Sequence, residues 1–405
     1  MKKIIVIGGG ASGLTAAINA KTDNNEVIIL EKNNDCGKKI LVTGNGRCNY
    51  FNDDQNIRHY HSQSNKIDSF INDANVKDVL SFFDSIGIFP EIKEGYYYPK
   101  SNQAVSVKNA LLNEVESKGI KIINNVNVVN VLKNDNKFVI ETDSNNYEAD
   151  IVVLATGSKA APKTGSDGAS YKILKNLGLE IIKPLPGLVQ LESSDNLKDA
   201  SGVRTKAKLS LYENNEFIKQ EMGELQLTDY GISGICAMQL SSYISKCLNE
   251  KNIAEIRINF LPWLENDVLS FLNERNELLK NRTISQLLDG LLNYKLVNVL
   301  LKKSNIKLND LWNDLSNNKK EELCENLVNY KMFIDATKDF ENAQICVGGL
   351  SLEEINDSFE SKKIENLYVV GELLDVNGDC GGYNLTFAWL SGIVAGRKIA
   401  GDNDD

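Results

Sequence analysis

Residues 1–20 read MKKIIVIGGGASGLTAAINA. Lysines, an apolar run and small residues are also typical of a secretory signal peptide, but such a peptide ends at a cleavage site and gives way to an unrelated sequence. Here a second β-branched run, VIIL at residues 27–30, follows a short polar turn and ends on Glu31. The stretch therefore predicts a strand, a helix and a second parallel strand rather than a leader.

The glycines between the first strand and the helix form the pattern G-x-G-x-x-G, with Gly8, Gly10 and Gly13 in its three places. The first permits a tight turn, the second lets a pyrophosphate approach the backbone, and the third lets the helix sit close to the strand. Glu31 follows Gly13 by 31 − 13 = 18 residues, near the ~20 at which a carboxylate binds an adenosine ribose. These features predict a dinucleotide-binding unit of the Rossmann type.

The C-terminal part of the chain favours FAD over NAD. LYVVGE at residues 367–372 predicts a buried strand, and DCGGYN at 379–384 precedes a small-residue helix over 385–400. A NAD domain has no need of a distant strand and helix, whereas the isoalloxazine of FAD lies far from its ADP. An acid at the strand end can hold the ribityl hydroxyls, and a helix N-terminus can stabilise the anion of the reduced flavin. Taken alone, residues 381–400 would suit a glycine-kinked core helix better.

Composition narrows the possible partners. The chain has 405 residues, 42% of them apolar, and a formal charge of −10, so it is long enough for two or three domains. An acidic chain opposes binding to a phosphate backbone or an anionic membrane, so we expect a small-molecule substrate, no nucleic acid and no membrane. Seven scattered cysteines without C-x-x-C spacing favour free thiols in the cytoplasm, with no metal site. The oligomeric state is not indicated.

The sequence pattern changes after PLPG at residues 184–187. Residues 206–212 alternate polar and apolar side chains, Asn214-Asn215 can turn the chain, and residues 217–227 can run back beside the first stretch. This pattern predicts β structure. Leu-rich helical spacing runs from residue 264 to about 329, and flavoprotein-like motifs resume at 335–349. The predicted fold class is α/β, with a Rossmann-type FAD-binding domain (1–190 and 335–405) and an inserted domain (191–334, β-rich over 191–262 and helical over 263–334).

Seven segments carry a family resemblance: GGGASGLTAA, EKNNDCGKKILVTGNGRCN, ADIVVLATGS, PKTGSDG, GELQLTDYGISG, AQICVGGLSLEEI and GELLDVNGDCGGYNLTFAW. The chain resembles the YhiN-like family of flavoproteins, which covers NAD(P)/FAD-dependent oxidoreductases, aminoacetone-oxidase-family enzymes and bile-acid ene-reductase-like proteins. The resemblance runs nearly end to end, and GNGRCN and GDCGGYN are more specific than the glycine fingerprint. It implies that the inserted domain has a β-barrel-like part and a small helical bundle.

The resemblance also implies a set of FAD-binding residues. Those for the ADP moiety are Gly8, Gly10, Ala11, Ser12, Gly13, Glu31 and Lys32, with Val128 by the adenine. Those along the pyrophosphate and beneath the cofactor are Lys39, Gly46, Arg47, Cys48, Asn49, Ala155, Thr156 and Gly157. Those for the ribityl chain and the ring are Gly371, Glu372, Gly382, Tyr383, Asn384 and Leu385.

The predicted function is that of an FAD-dependent oxidoreductase acting on a small organic substrate. No second glycine fingerprint is visible, so NAD(P)H, bound transiently in the flavin cleft, and O2 both remain candidate redox partners. The alternative is a flavin-containing redox-sensing or binding protein without turnover; a tRNA-modifying flavoprotein would need a basic surface.

The sequence identifies no catalytic residue. Cys48 and Cys380 could form a redox disulfide, but we favour packed thiols. Asp379 and Tyr383 could relay a proton, although Asp379 could equally cap the helix that follows. Residues 96–98, three tyrosines before Pro99, could line a pocket for a flat substrate or, as we prefer, form a strand edge.

Overall fold

The chain folds into two compact units. The structure, a computed structural model, describes residues 1–195, 197–264 and 267–401. Unit 1 comprises Met1–Leu185 and Gln344–Asp405, and unit 2 comprises Pro186–Ala343. Each unit has its own hydrophobic core. The second boundary lies beyond the predicted residue 335, because residues 336 and 337 still pair with residues 191 and 192 in the sheet of unit 2.

Strands and helices are numbered in chain order. The strands are β1 (Lys2–Ile7), β2 (Asn25–Leu30), β3 (Phe51–Asn52), β4 (Tyr60–His61), β5 (Pro90–Lys93), β6 (Tyr96–Pro99), β7 (Lys121–Ile123), β8 (Val128–Asn134), β9 (Lys137–Thr142), β10 (Asn146–Ala149), β11 (Ile151–Leu154), β12 (Ile181–Gly187), β13 (Leu191–Glu192), β14 (Arg204–Glu213), β15 (Glu216–Leu227), β16 (Gly231–Ser233), β17 (Ala254–Asn259), β18 (Tyr330–Ile334), β19 (Ala336–Thr337), β20 (Ile345–Leu350), β21 (Leu367–Val369) and β22 (Asn377–Gly378). The helices are α1 (Ala11–Ala20), α2 (Lys38–Val42), α3 (Ile67–Phe70), α4 (Asp73–Ser85), α5 (Ala104–Ser117), α6 (Ser170–Asn176), α7 (Ile235–Asn249), α8 (Val268–Leu278), α9 (Ile284–Leu288), α10 (Tyr294–Lys303), α11 (Asn317–Val328) and α12 (Tyr383–Ala400). Among the described residues, no helix combines the length and the apolar character that a bilayer crossing requires.

A five-stranded parallel sheet organises unit 1. Its strand order is β21-β11-β1-β2-β7. The inner strands are almost wholly apolar, and residues 4–7, 27–30 and 151–154 are buried, as expected where helices cover both faces of a parallel sheet. From β1 the chain first builds outward through β2 and β7 and later adds β11 and β21 on the other side. β1 therefore lies at the switch point of the sheet, where ligands bind beyond the carboxyl ends of the strands.

Helices α1 and α12 pack almost backbone to backbone. A methyl group at Gly392 of α12 would lie 2.5 Å from the carbonyl oxygen of Ser12 and 2.2 Å from Oγ1 of Thr15. One turn later, a methyl group at Gly396 would lie 2.7 Å from the carbonyl oxygen of Ala16. Only glycine allows this approach. Since α1 follows the glycine-rich loop, the contact fixes α12, from the other part of unit 1, beside that loop.

Smaller sheets complete unit 1. Strands β3, β6 and β5 form a three-stranded sheet in that order, and β8, β9 and β10 form another. Residues 96–99, expected as a strand edge, form a strand, but β6 lies in the middle of its sheet because β3 pairs on its second side. The two-residue strands β4 and β22 pair with each other, with His61 opposite Asn377.

Unit 2 combines a seven-stranded sheet with helices. The strand order is β18-β17-β14-β15-β16-β13-β19. The outermost strands β18 and β19 are separated by residue 335 alone, so the two ends of the sheet lie next to each other in the chain. The secondary structure departs from the predicted division at two places. Helix α7 falls within the β-rich part, and the helical part ends in β18, whose alternating buried and exposed residues pair with β17.

We predict that Gly392→Ala destabilises unit 1. The added methyl group collides with the backbone of α1, and overpacking of this kind costs about 1–3 kcal/mol, more than the gain of up to about 1 kcal/mol in helix propensity. Urea unfolding measures the loss. Lys398→Ala, at an exposed position of the same helix, serves as the control and should leave the free energy of unfolding nearly unchanged. Equal stability of Gly392→Ala and the parent would contradict the close helix approach.

Candidate functional site

The glycine-rich loop forms an open cradle at the end of β1. A methyl group at Gly13 would lie 1.9 Å from the carbonyl oxygen of Gly8, so loop and helix are in direct backbone contact. Helix α1 starts after Gly10 without a side-chain cap, and a methyl group at Gly10 would meet no protein atom within 4 Å. The first N–H groups of α1 thus lack a capping side chain and border open space. A pyrophosphate fits such a place because it accepts from N–H groups at the positive end of the helix dipole.

The buried carboxylate of Glu31 holds the same loop. Its Oε2 accepts the N–H of Gly9 at 2.7 Å, and its Oε1 accepts both the backbone N–H and the Nδ2 of Asn33 at 2.8 Å each. A carboxylate can accept about four hydrogen bonds, so one position is left for a ribose hydroxyl. Gly9, which sequence reasoning did not single out, is also confined, since a methyl group there would lie 2.3 Å from Sγ of Cys36.

Lys39 and Glu372 join the two halves of the predicted cofactor path. Nζ of Lys39 donates to Oε2 of Glu372 at 2.5 Å and to the carbonyl oxygen of Ala160 at 3.3 Å. Oε1 of Glu372 accepts the backbone N–H of Cys346 at 3.2 Å. The two residues of the pair are 333 positions apart in the chain. Through its two hydrogen bonds, Lys39 connects the segment after β11, which contains Ala160, with the segment after β21, which contains Glu372.

The GNGRCN segment is a tight loop that presents one unsatisfied acceptor. Asn45 and Cys48 are left-handed, with φ of 55° and 60°. Oδ1 of Asn49 is buried without a hydrogen-bond partner among the described residues, and it would lie 3.1 Å from a methyl group at Gly382. Oγ1 of Thr156 is likewise buried without a hydrogen-bond partner among the described residues. Buried polar atoms normally have partners, so both oxygens fit a site that is completed by a ligand.

Other predicted residues are held by protein partners. Lys32 pairs with Asp167 at 2.6 Å. Arg47 is exposed and lies 4.9 Å above the ring of Tyr98. The side chain of Asn384 holds both backbone groups of Gly378, accepting its N–H at 2.7 Å and donating to its carbonyl oxygen at 2.8 Å. These three side chains are therefore already engaged by the protein.

The remaining predicted residues occupy the loop ends around the cradle. Ala11 and Ser12 form the first turn of α1, Ala155 lies against Gly8, and Gly371 lies against Ser12. Val128 opens β8, two residues after Val126 donates to the carbonyl oxygen of Glu31 at 3.0 Å. Gly46 and Gly157 have positive φ, and Gly382, Tyr383 and Leu385 form the start of α12, which has no side-chain cap.

The structure adds one cluster that sequence reasoning missed. Nδ1 of His59 lies 3.0 Å from Oδ2 of Asp379, and Nε2 of His61 lies 2.9 Å from Oδ1 of the same carboxylate. The ring of His59 stacks on Tyr383 with centroids 4.6 Å apart. These are the only histidines of the chain, and their scarcity was the one feature of the sequence that could have drawn attention to them. No sequence pattern connects His59 with Asp379, which lies 320 positions further along the chain.

The two cysteines of interest behave as packed thiols. Cys48 is fully buried, and burial raises the pKa of its thiol to about 12. Burial first, and then the charge of Asp379, raise the pKa of Cys380. Neither cysteine forms a disulfide bond in the structure. Because the thiolate is the nucleophile, neither side chain is prepared for disulfide chemistry at neutral pH.

The fold and the cradle define the class of the protein. A glycine-rich helix start at the switch point of a parallel sheet, completed by a strand and a helix from a distant part of the chain, is the architecture of the FAD-dependent oxidoreductases, and the chain is an enzyme of this class. Its residues 2–398 match one family model, and the chain belongs to that family, described as HI0933-like protein Rossmann domain. The resemblance inferred from the motifs is confirmed.

Relatives of known name match over the whole chain. A 3-dehydro-bile acid Δ(4,6)-reductase of Clostridium scindens is 38% identical over 99% of both chains. A ribosomal RNA dihydrouridine synthase of Haemophilus influenzae is 26% identical over 98% of both chains. Among solved structures, a 3-ketosteroid Δ4-(5α)-dehydrogenase of Rhodococcus jostii is 14% identical, with a TM-score of 0.51 over 98% of this chain and 97% of that one. The last likeness shows the fold alone.

We predict that Gly10→Ala weakens FAD binding by at least about tenfold, or ~1.4 kcal/mol, without destabilising the apoprotein. Apart from its chain neighbours, the methyl group would have no described atom within 4 Å, and Gly10 has a φ of −86°, which alanine adopts freely. The methyl group would, however, enter the predicted pyrophosphate site. Flavin fluorescence titration of the apoprotein gives the affinity. Gly13→Ala is the matched control, because it should lose stability as well as binding. Unchanged affinity in Gly10→Ala would show that the phosphates bind elsewhere.

We predict that Cys48 resists alkylation in the native protein. With a pKa of about 12, roughly one thiol in ten thousand is ionised at pH 8, and this fraction rises tenfold per pH unit up to the pKa. Iodoacetamide treatment at pH 8, followed by peptide mass spectrometry, should leave Cys48 unmodified until guanidinium unfolds the chain. Rapid modification of the folded protein would restore the hypothesis of a redox pair with Cys380.

Proposed function

We propose that the chain is an FAD-dependent reductase that saturates a carbon–carbon double bond conjugated to a ketone, with NAD(P)H as the electron donor. The observation that carries the proposal is the 38% identity over 99% of both chains to a 3-dehydro-bile acid Δ(4,6)-reductase. The substrate class is therefore a steroid-like 3-ketone with double bonds at positions 4 and 6, or a small enone of similar shape.

The residues of unit 1 fit the cofactor. The uncapped start of α1 and the open space at Gly10 would receive the pyrophosphate, and Glu31 has one acceptor position left for the adenosine ribose. Lys39 and Glu372 would lie along the ribityl chain. The uncapped start of α12 would face the isoalloxazine and stabilise negative charge there. When bound, FAD supplies the hydride chemistry, and the protein supplies orientation and protons.

Aromatic side chains next to the start of α12 support a flat, apolar substrate. A methyl group at Gly381 would lie 2.9 Å from the ring of Tyr96 and 3.1 Å from the ring of Tyr383. Tyr60 packs edge-on against Tyr383, with centroids 5.6 Å apart. Aromatic rings of this kind bind planar apolar molecules through large contact areas. We place the substrate against Tyr96, which is partly exposed.

NAD(P)H would use the same cleft as the substrate. The chain has a single G-x-G-x-x-G fingerprint, and the space at Gly10 is assigned to FAD. The nicotinamide and the substrate would therefore bind in turn, each against the flavin. We expect ping-pong kinetics from this arrangement.

RNA is the second candidate substrate. Two relatives at 26% identity are ribosomal RNA dihydrouridine synthases, and making dihydrouridine also saturates a double bond that is conjugated to a carbonyl. The absence of nucleic-acid binding thus stays a prediction. We favour the small molecule because the identity to the bile acid reductase is higher and because a formal charge of −10 opposes a phosphate backbone.

Anaerobic stopped-flow spectroscopy of the FAD-loaded protein tests the proposal. NADH or NADPH should bleach the flavin band, and a 3-oxo-4,6-diene bile acid should restore it with loss of the dienone absorbance. Uridine-containing ribosomal RNA is the comparison substrate, and O2 is the comparison oxidant. Bleaching without reoxidation by any enone would contradict the proposed activity. Reoxidation by RNA alone would favour the second candidate, and failure of every donor to bleach would favour a redox sensor or binding protein.

A further inference from the structure

Four side chains of unit 1 form a continuous line of hydrogen bonds that begins at the surface. Oδ2 of Asp54 lies 3.1 Å from Nε2 of His59, Nδ1 of His59 lies 3.0 Å from Oδ2 of Asp379, and Oδ1 of Asp379 lies 2.9 Å from Nε2 of His61. The exposed fractions of these side chains are 47%, 20%, 11% and 21% in that order. The line thus starts at solvent, passes through a nearly buried carboxylate and reaches the partly exposed imidazole of His61.

Both protonation states of His59 have partners. When Nε2 is unprotonated it accepts the Nε–H of Arg58 at 3.2 Å, and when it is protonated it donates to Asp54. Nδ1 donates to Asp379 in either state. Arg58 in turn donates to Asp54 at 2.5 Å, and hydrogen bonds from His59, Asn56 and Arg58 lower the pKa of Asp54 to about 2. A group that is satisfied with and without a proton can accept one and release one without leaving a buried polar atom unpaired.

The line lies beside the start of α12. The ring of His59 stacks on Tyr383, the first residue of that helix, and the backbone N–H of Asp379 donates to the carbonyl oxygen of His59 at 2.9 Å. His61 pairs with Asn377, whose Oδ1 is buried without a partner among the described residues. An unsatisfied acceptor next to His61 is what a bound ligand would complete.

The surrounding titratable groups favour a proton line over a permanent ion pair. Three of them act on the four residues directly: Arg58, Cys380 and Tyr383. Tyr60 and Tyr96 act on Tyr383. Burial raises the pKa values of Tyr60, Tyr96, Tyr383 and Cys380, so these groups stay neutral around pH 7. Arg58 is then the one permanent cation among them.

We propose that Asp54, His59, Asp379 and His61 are the proton wire of the reductase, with His61 as the general acid that protonates the substrate carbon; this inference rests on the proposed function. Saturating the double bond adds a hydride, drawn from NAD(P)H, to one carbon and a proton to the other. His61, with a proton on each ring nitrogen, gives the proton of Nδ1 to the substrate carbon and keeps the Nε2–H that faces Asp379. Oδ2 of Asp379 then takes the Nδ1 proton of His59, and Nε2 of His59 takes a proton from solvent by way of Asp54. The line as a whole therefore takes up one proton for each proton that it gives to the substrate.

Two variants test the wire in the FAD-loaded protein. His61→Gln and Asp379→Asn should slow reoxidation of the reduced flavin by the dienone about 100-fold or more. Ferricyanide, which takes electrons without a proton on carbon, should reoxidise both variants at the wild-type rate. Asp23→Asn, at an exposed turn of unit 1, is the control for loss of a carboxylate and should match the wild type in both reactions.

Nuclear magnetic resonance provides a readout that needs no cofactor. Because the chain has two histidines, ¹⁵N-histidine labelling gives two ring systems, assigned with His59→Gln and His61→Gln. We expect Nδ1 of His59 and Nε2 of His61 to carry slowly exchanging protons. In Asp379→Asn at least one of these protons should exchange rapidly with water, since a carboxamide has one acceptor oxygen in place of two.

The outcomes separate the two proposals. If the wild-type protein reduces no enone, the proposed function fails, and the wire falls with it. If the wild type reduces the dienone and His61→Gln does so at the same rate, the wire is wrong while the function stands. Equal slowing with the dienone and ferricyanide, or ring protons that exchange rapidly in the wild type, would also overturn it, because both results indicate a structural role.

Discussion

The close packing of α1 on α12 is the constraint on which the rest of unit 1 depends. Gly392 and Gly396 bring the backbone of one helix against the other, so the start of α12 is placed within reach of the loop that precedes α1. The proposed cofactor site thus depends on small residues that face each other on two helices.

The polar groups of the proposed site fall into two sets, those that hold the loops in place and those that could bind the cofactor. Glu31, Asn384 and the Lys39–Glu372 pair make hydrogen bonds that hold loops in place. By contrast, the starts of α1 and α12 and the side-chain oxygens of Asn49 and Thr156 have no side-chain partner among the described residues. Prepositioned groups that need no rearrangement lower the cost of binding. The proposed proton wire from Asp54 to His61 is prepositioned in the same way, because its donors and acceptors already lie within hydrogen-bond distance of one another.

Local patterns made most of unit 1 predictable. The glycine spacing, the acid at residue 31 and the apolar runs of β1, β2 and β11 each depend on neighbours in sequence, so the Rossmann-type fold was predicted correctly. The His59–Asp379–His61 cluster was not, because strands β4 and β22 have two residues each and carry no periodicity. The need for glycine at residue 9 was missed for a related reason. It arises from contact with Cys36, and the spacing of glycines in the sequence does not indicate that contact. Strand β18 was missed because the Leu-rich helical pattern before it masked five alternating residues.

The interruption of unit 1 by unit 2 has a consequence for biosynthesis. Unit 2 is continuous in sequence and can fold as soon as it leaves the ribosome, whereas α1 and the first four strands of the parallel sheet must wait for β21 and α12, which are translated after it. Until then the apolar and small-residue face of α1 stays open to water or to a chaperone, and contacts of such long range form slowly. The nascent chain therefore acquires its flavin late, and its period of greatest exposure to aggregation falls before α12 docks.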